Sequence, residues 1–161
     1  MIVICDTSPL CYLLLIGQVG ILPQLFGRII IPNAVREELL NENADAIVQN
    51  WIAQPPNWLE IHKVEHLLSD LPSKLGSGEC EAISLAVALK ANLLIMDDWE
   101  ARQAASNRGF TVTGLLGILY RAGMSDLLDF PNAIFQLQST TFRASPSLIE
   151  SFLSRYRQEK R

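Results

Sequence analysis

The sequence predicts an α/β fold, a three-layer α/β/α sandwich whose central sheet is mostly parallel. Short apolar runs, Met1–Cys5, Ile29–Ile31 and Leu93–Met96, alternate with longer segments of helical character. These runs are apolar throughout, which is typical of strands that helices bury on both faces. The 161 residues, 49% of them apolar, suit a single domain with a sizeable core.

Helix signals follow the first two strands directly. After Met1–Cys5, Ser8 and Pro9 supply a cap and a first-turn residue for an apolar helix. After Ile29–Ile31, Pro32 closes the strand and Asn33 caps a helix over residues 34–40. Each strand therefore leads through polar residues into a helix, as in βαβ units.

The remaining elements are predicted from the same signals. A helix over Ala46–Trp51 ends before Pro55-Pro56, and the Gly76-Ser77-Gly78 loop opens a long helix. The predicted elements after residue 58 are a weaker strand over Leu59–Val64, the helix Glu79–Ala91, the strand Leu93–Met96, the helix Trp99–Arg108, a strand over Phe110–Val112, the helix Leu115–Ala122, and two tail helices separated near Ser145-Pro146. We expect one domain over residues 1–161, with a core over about 1–125 and a helical tail over about 126–161.

Charge and cysteine content limit the class of protein. The net charge is −4, which excludes a polycationic nucleic-acid coat, although residues 1–100 carry −8 and residues 101–161 carry +4. Cys5, Cys11 and Cys80 are odd in number and lie in apolar contexts, which favours free thiols in the cytoplasm. The longest apolar stretch, near Leu10–Ile16, is too short to span a membrane, and we expect no signal peptide.

Acidic residues follow two of the predicted strands. Asp6 comes directly after the first strand, and Asp97-Asp98 follows Leu93–Met96. The carboxyl ends of parallel strands form the functional edge of an open α/β sheet, and Glu38 lies far enough along its helix to reach the same edge. Because clustered carboxylates repel one another, this pattern predicts a divalent cation, Mg²⁺ or Mn²⁺, among them.

The sequence leaves some of these assignments open. Glu79 and Glu81 both start the central helix, but positions two apart diverge around a helix, so only one of them faces the site. Acids in a first helical turn also stabilise the helix dipole without any other function. In the same way, either Asp97 or Asp98 serves the site while the other caps the following helix.

Two other motifs point to different chemistry. Asp6-Thr7-Ser8 is similar to the start of haloacid-dehalogenase-type phosphatases, but Ser8 stands where these enzymes carry a second acid. His62-Lys63-Val64-Glu65-His66 matches the HxxEH pattern of zinc peptidases. That pattern needs a helix to bring both imidazoles to one face, and the strand predicted over Leu59–Val64 would separate them.

Taken together, the motifs resemble those of the PIN-domain nucleases, and within them the VapC-like toxin relatives and a subgroup of predicted nucleic-acid-binding proteins. The resemblance covers roughly residues 1–125. It rests on these segments: Cys5-Asp6-Thr7-Ser8-Pro9-Leu10, Ile31-Pro32-Asn33-Ala34-Val35-Arg36-Glu37-Glu38-Leu39, Gly78-Glu79-Cys80-Glu81-Ala82-Ile83-Ser84-Leu85-Ala86, Leu94-Ile95-Met96-Asp97-Asp98, Arg102, and Gly114-Leu115-Leu116-Gly117.

The resemblance implies Mg²⁺- or Mn²⁺-dependent endonucleolytic cleavage of RNA. It also implies a homodimer, which a mean hydropathy of +0.20 favours as well, and a small antitoxin protein that holds the enzyme inactive. The residues that it assigns are the catalytic acids Asp6, Glu38, Glu81 and Asp98, the metal ligands Asp6, Glu81, Asp97 and Asp98, and the supporting hydroxyls Thr7 and Ser8.

The sequence departs from the family pattern at one position. If Asp98 is the last acid, Met96 stands where the family carries a hydroxyl residue. An acidic site needs separate basic groups for the substrate phosphates, and the candidates are Arg102, Arg108 and Arg121, followed by Arg155 and Arg157 of the tail. A non-catalytic binding module and a small phosphate-ester hydrolase are the alternative functions.

Overall fold

The structure is a computed structural model that describes residues 1–160. Within these residues the chain forms five strands and nine helices. They are β1 (Val3–Cys5), α1 (Thr7–Leu15), α2 (Ile21–Phe26), β2 (Ile29–Pro32), α3 (Asn33–Leu40), α4 (Ala46–Ala53), β3 (Leu59–His62), α5 (Ser77–Leu89), β4 (Leu93–Ile95), α6 (Trp99–Asn107), β5 (Val112–Thr113), α7 (Leu115–Met124), α8 (Phe130–Gln138) and α9 (Pro146–Glu159).

The five strands form one sheet in the order β3-β2-β1-β4-β5, and all four pairs are parallel. Ile4 of β1 lies opposite Ile30 of β2 on one side and Leu94 of β4 on the other. The chain winds outward from β1 in both directions, so the order reverses there. The carboxyl ends of β1 and β4 therefore lie side by side, which is where ligands bind in open α/β sheets.

Both faces of the sheet are buried, which confirms the predicted α/β/α sandwich. Along β1, Val3 and Cys5 pack into a core with α1, α3, α4, α7 and α8, whereas Ile4 packs into a second core with α5 and α6. The alternation places every second residue on each face, so a strand between two cores has to be apolar throughout. Phe130 of α8 is fully buried in the first core, so the tail packs against the same sheet.

Several elements begin at other residues than predicted. Strands β1 and β5 begin two residues later, at Val3 and Val112, and helix α3 includes Asn33, the residue predicted to cap it. Helix α1 starts at Thr7, so that Asp6 rather than Ser8 occupies the N-cap position. Helix α5 starts at Ser77, because the Glu79 carboxylate accepts the Gly76 N–H at 2.8 Å and closes the first turn earlier. Helix α2, Ile21–Phe26, was not predicted, since it is short and carries Pro23 in its first turn.

None of the helices within residues 1–160 is both long enough and apolar enough to cross a membrane.

Candidate active site

Asp6 stands where β1 ends and α1 begins. Its backbone N–H donates to the Ile95 carbonyl at 2.9 Å, which extends the β1–β4 pairing and fixes the residue at the sheet edge. The side chain is 4% exposed, and its Oδ1 has no hydrogen-bond partner within residues 1–160. Burial raises the pKa of Asp6 to about 7, and the charges of Glu79, Glu38 and Asp97 add to the rise, while the Thr7 N–H opposes it.

Asp97 follows β4, the strand next to β1. Its Oδ1 accepts the Leu115 N–H at 2.8 Å, whereas its buried Oδ2 has no partner in the described part of the chain. Burial raises the pKa of Asp97, although the N–H of Leu115 and the charge of Arg102 oppose the rise. Asp98 is exposed, and its carboxylate accepts the Ala101 N–H at 3.0 Å as the N-cap of α6. Of the two neighbours, Asp97 has the unpartnered oxygen and Asp98 is the cap.

Glu38 is held by two donors from other elements. The Thr7 hydroxyl donates to Glu38 Oε1, and the Gly78 N–H donates to Oε2 at 2.9 Å. Gly78 is required for this approach, because a Cβ at that position would lie 2.7 Å from Glu38 Oε1. The carboxylate therefore ties the start of α1 and the start of α5 to α3.

The side chains of Glu79 and Glu81 extend from α5 in different directions. Glu79 lines the same cleft as Asp6, and burial raises its pKa. The Glu81 carboxylate accepts the Ala34 N–H at 2.9 Å and lies in a separate groove beside α3. The structure therefore does not bring Glu81 into the cleft with Asp6, and the reason is the divergence of positions two apart on a helix.

We call the cleft that contains Asp6 the acidic cleft. It has a volume of about 460 Å³, and no Lys, Arg or His of residues 1–160 lines it. Its acidic side chains come from four segments, and the Thr7 and Ser8 hydroxyls lie among them. The acidic members are Asp6, Glu38, Asp45 and Glu79.

The donor set fits a hard divalent cation held by few protein ligands. Within residues 1–160, no three His, Cys, Asp or Glu side chains are arranged to hold a metal ion together. Glu38, Glu79, Glu81 and Asp98 accept N–H or O–H donors, and Asp45 is exposed, which leaves Asp6 Oδ1 and Asp97 Oδ2 as buried oxygens without partners. Mg²⁺ is commonly bound by one or two carboxylates and several waters, so these two oxygens fit such an ion.

Of the arginines predicted to hold phosphate, Arg102 alone lies beside the candidate ligands. Arg102 and Asp97 line one cleft, whereas Arg108 pairs with Asp70 at 2.5 Å and Arg121 lies over the Phe26 ring. The tail arginines are also engaged, Arg155 with Glu159 and Arg157 with Glu150. The structure therefore does not bring Arg108, Arg121, Arg155 or Arg157 to the site.

The structure also brings in residues that the sequence analysis missed. Arg143 shares the cleft of Arg102, and Thr141 accepts or donates a 2.9 Å hydrogen bond with Tyr12 at the acidic cleft. Trp99, directly after Asp98, is 70% exposed. No local pattern marks Arg143 or Thr141, because only the return of the tail across the sheet edge places them there. Trp99 carries no distinguishing local signal either, because Phe130 also begins a helix and is fully buried.

The competing motifs receive no support from the geometry. His62 ends β3 and bonds to Glu60 of the same strand at 3.1 Å, and His66 lies beyond the strand, so the two rings share no helix. Cys5 is buried, and burial together with the charges of Asp6 and Asp97 raises the pKa of its thiol. A thiol in that state is not a nucleophile.

The parallel sheet, its order and the carboxylates at its switch point define a PIN-like α/β/α protein. Residues 2–158 match the family model described as DUF3368: PIN domain, so the chain belongs to this PIN-domain family, as its motifs predicted. Among solved structures, the chain is similar to a PilT N-terminus domain protein, SSO1118, from the hyperthermophilic archaeon Sulfolobus solfataricus P2. The two share 17% identity with a TM-score of 0.55, over 80% of this chain and 95% of that one, which is a likeness of fold. No curated protein sequence matches the chain.

Proposed function

We propose that the protein is an endoribonuclease that depends on Mg²⁺ or Mn²⁺. The observation that carries the proposal is the pair of buried, unpartnered oxygens, Asp6 Oδ1 and Asp97 Oδ2, at the ends of adjacent parallel strands. An unpaired buried polar atom costs free energy, so two of them at the functional edge of the sheet favour a missing cationic partner. Membership of the PIN-domain family supports nuclease chemistry at this edge.

A divalent cation bound there would supply Lewis-acid stabilisation of the phosphodiester and activation of a water. Asp6 and Asp97 are the residues that would hold it, with Glu79 on the wall of the acidic cleft as a group that positions water. Glu38, held by the Thr7 hydroxyl and the Gly78 N–H, lies beside Asp6 on the wall of the acidic cleft and is not free to move into the site.

Asp6 changes its protonation state when the cation binds. Without metal its pKa of about 7 leaves much of the side chain neutral at physiological pH. A cation needs the ionised form as a ligand, so binding would release a proton from this carboxyl. The affinity for metal should therefore rise with pH between about 6 and 8.

The surroundings of the acids favour a nucleic acid over a small phosphate ester. The cleft beside Asp97 carries Arg102 and Arg143, so positive charge adjoins the acidic cleft. Trp99 exposes a large aromatic surface next to Asp98, and bases of single-stranded RNA stack on such side chains. A small ester would engage an arginine as well, but it would leave the aromatic surface unused.

Cleavage of labelled single-stranded RNA tests the proposal. We expect cleavage with Mn²⁺ or Mg²⁺, none in EDTA, and recovery when the metal is added back without any Zn²⁺. Asp6→Asn is the active-site control and should abolish cleavage. Equal cleavage in EDTA, or hydrolysis of a small chromogenic phosphate ester but not of RNA, would contradict it. Parallel reactions with DNA of the same sequence decide which nucleic acid is the substrate.

The resemblance to toxin relatives supports two proposals about partners. The first is a small antitoxin protein that inhibits the nuclease, and a short open reading frame directly upstream of the gene would support it. The second is a homodimer, which a sedimentation mass of 17.9 kDa at micromolar concentration would contradict.

A further inference from the structure

The arginines fall into two groups, those that have a carboxylate or aromatic partner and those that have neither. Most of them pair with a carboxylate within 4.0 Å, and Arg121 lies over the Phe26 ring. Within residues 1–160, Arg102 and Arg143 alone have neither kind of partner. Arg143 bonds only to the carbonyl of the preceding residue, at 3.1 Å. The paired arginines are Arg28, Arg36, Arg108, Arg155 and Arg157.

These two free cations lie in one place. Both line a cleft of about 330 Å³ between the end of the sheet and the returning tail, which we call the arginine cleft. Asp97 is the one acidic side chain that lines this cleft in the described part of the chain. The other walls are largely apolar and include Val112, Leu116, Phe142, Leu148 and Phe152.

Gly114 leaves the space that the Arg102 side chain occupies. A Cβ on Gly114 would lie 2.5 Å from Arg102 Nη1 and 2.7 Å from Asp97 Oδ1. Gly114 thus lets the guanidinium and the carboxylate approach the same stretch of backbone. Arg102 is therefore placed beside a candidate cation ligand, without forming an ion pair of 4.0 Å or less with any acid of residues 1–160.

We propose that the arginine cleft binds the nucleotide adjoining the scissile phosphate of single-stranded RNA. Arg102 and Arg143 hold its phosphate, and the apolar wall takes the base. Guanidinium groups match phosphate oxygens in geometry and charge, and a flat base fits an apolar slot. The proposal rests on the proposed function, and it adds that the substrate must be unpaired, because a base within a duplex cannot enter the cleft.

The position of Asp97 favours RNA over an acidic peptide as the occupant. Asp97 belongs both to this cleft and to the candidate cation site, so a phosphodiester chain that leaves the cation enters the cleft directly. Its phosphates repeat at each nucleotide and can engage the cation and the two arginines in turn. A peptide carboxylate would pair with the arginines, but nothing would place the rest of the peptide at the candidate cation site.

The test is equilibrium binding of a fluorescent single-stranded RNA to the full chain in EDTA, where cleavage does not occur. Arg143→Gln should weaken binding about tenfold, as expected for loss of a charged hydrogen bond. It should also lower the slope of log affinity against log salt by about 0.7, the value for one phosphate contact on a single strand. The control is Arg121→Gln, which removes the same charge from an arginine that also lacks a carboxylate partner. A duplex of equal length should bind weakly to all three proteins.

The outcomes separate this inference from the proposed function. If wild type cleaves RNA with Mn²⁺ but Arg143→Gln and Arg121→Gln bind RNA alike, the arginine cleft is not a nucleotide site and the nuclease function stands. If wild type cleaves no nucleic acid, the proposed function fails, and binding of RNA that depends on Arg143 would still support the cleft. If binding of a polyglutamate peptide depends on Arg143 and binding of RNA does not, the inference is overturned in favour of an acidic protein partner.

Discussion

Glu79 and Glu81 start the same helix, yet Glu79 lines the cleft of Asp6 while Glu81 accepts the Ala34 N–H at 2.9 Å. The charge of Glu79 raises the pKa of Asp6, so the two carboxyls lie in each other's field. Glu81 instead meets the positive end of the α3 dipole. The two acids therefore differ in their surroundings: Glu79 lines the acidic cleft, and Glu81 joins α5 to α3.

Replacing each glutamate by glutamine should separate these roles. Glu79→Gln should lower the affinity for Mn²⁺ about tenfold while leaving stability in EDTA unchanged, because glutamine also closes a capping box on Gly76. Glu81→Gln should keep the affinity within about twofold but lower the free energy of unfolding by about 1 kcal/mol, because a neutral acceptor interacts less with the α3 N-terminus. Titration calorimetry and denaturant unfolding measure the two quantities.

The reverse pattern, with Mn²⁺ affinity lost in Glu81→Gln and kept in Glu79→Gln, would contradict this placement. It would favour instead the assignment that the family resemblance implies for Glu81.

Asp6 should make the stability of the metal-free protein depend on pH. Its pKa is about 7 when folded and 3.8 as the ordinary value, so the folded state keeps a proton that the unfolded state loses. The stabilisation is complete below about pH 4 and is lost as pH rises through 7, by up to about 4 kcal/mol for three pKa units. Asp6→Asn keeps the shape of the neutral acid and lacks this loss.

Denaturant unfolding in EDTA at pH 5 and pH 8 measures the effect. The advantage of Asp6→Asn over wild type should grow by about 2 to 3 kcal/mol between these pH values. Asp129→Asn is the matched control, because it removes a carboxylate at the N-cap of α8, where asparagine caps equally well. If the free energy of unfolding changes equally for wild type and Asp6→Asn between pH 5 and pH 8, the carboxyl of Asp6 is not buried as the structure has it.

The local sequence pattern was sufficient to predict the fold and part of the candidate site. The apolar run of β1 and the residues after it predicted a buried strand that ends at Asp6, because burial on both faces acts on every residue of a strand. Whether Asp97 or Asp98 faces inward depends instead on which carboxylate meets the Leu115 N–H, a contact 18 positions away. Arg143 depends on the path of the tail, which no nearby residue encodes. Sequence periodicity reports local geometry, and such contacts are long-range.

A side chain at Gly114 should destabilise the fold, because its Cβ would lie 2.5 Å from Arg102 Nη1 and 2.7 Å from Asp97 Oδ1, which the Leu115 N–H holds in place. Its backbone is extended, with φ −105°, so alanine is disfavoured there by crowding alone. Gly114→Ala should lower the free energy of unfolding by about 1 to 3 kcal/mol, the usual cost of overpacking, and should weaken RNA binding. Gly20→Ala is the control, because a Cβ there meets no atom within 4 Å among the described residues. Equal unfolding curves for the two variants would contradict this account of Arg102.

Trp99 should contribute to RNA binding and hardly at all to stability. The side chain is 70% exposed at the start of α6, so its removal takes little from the core. One base stacked on an aromatic ring contributes about 1 to 3 kcal/mol, so Trp99→Ala should weaken binding of single-stranded RNA roughly 5- to 150-fold. Phe135→Ala is the matched control, because Phe135 is 69% exposed on α8 and lines neither the acidic cleft nor the arginine cleft. Fluorescence anisotropy in EDTA measures both affinities, and thermal melts verify that both variants fold. Equal affinities for the two variants would mean that Trp99 offers no surface to the nucleic acid, and the aromatic support for an RNA substrate would be lost.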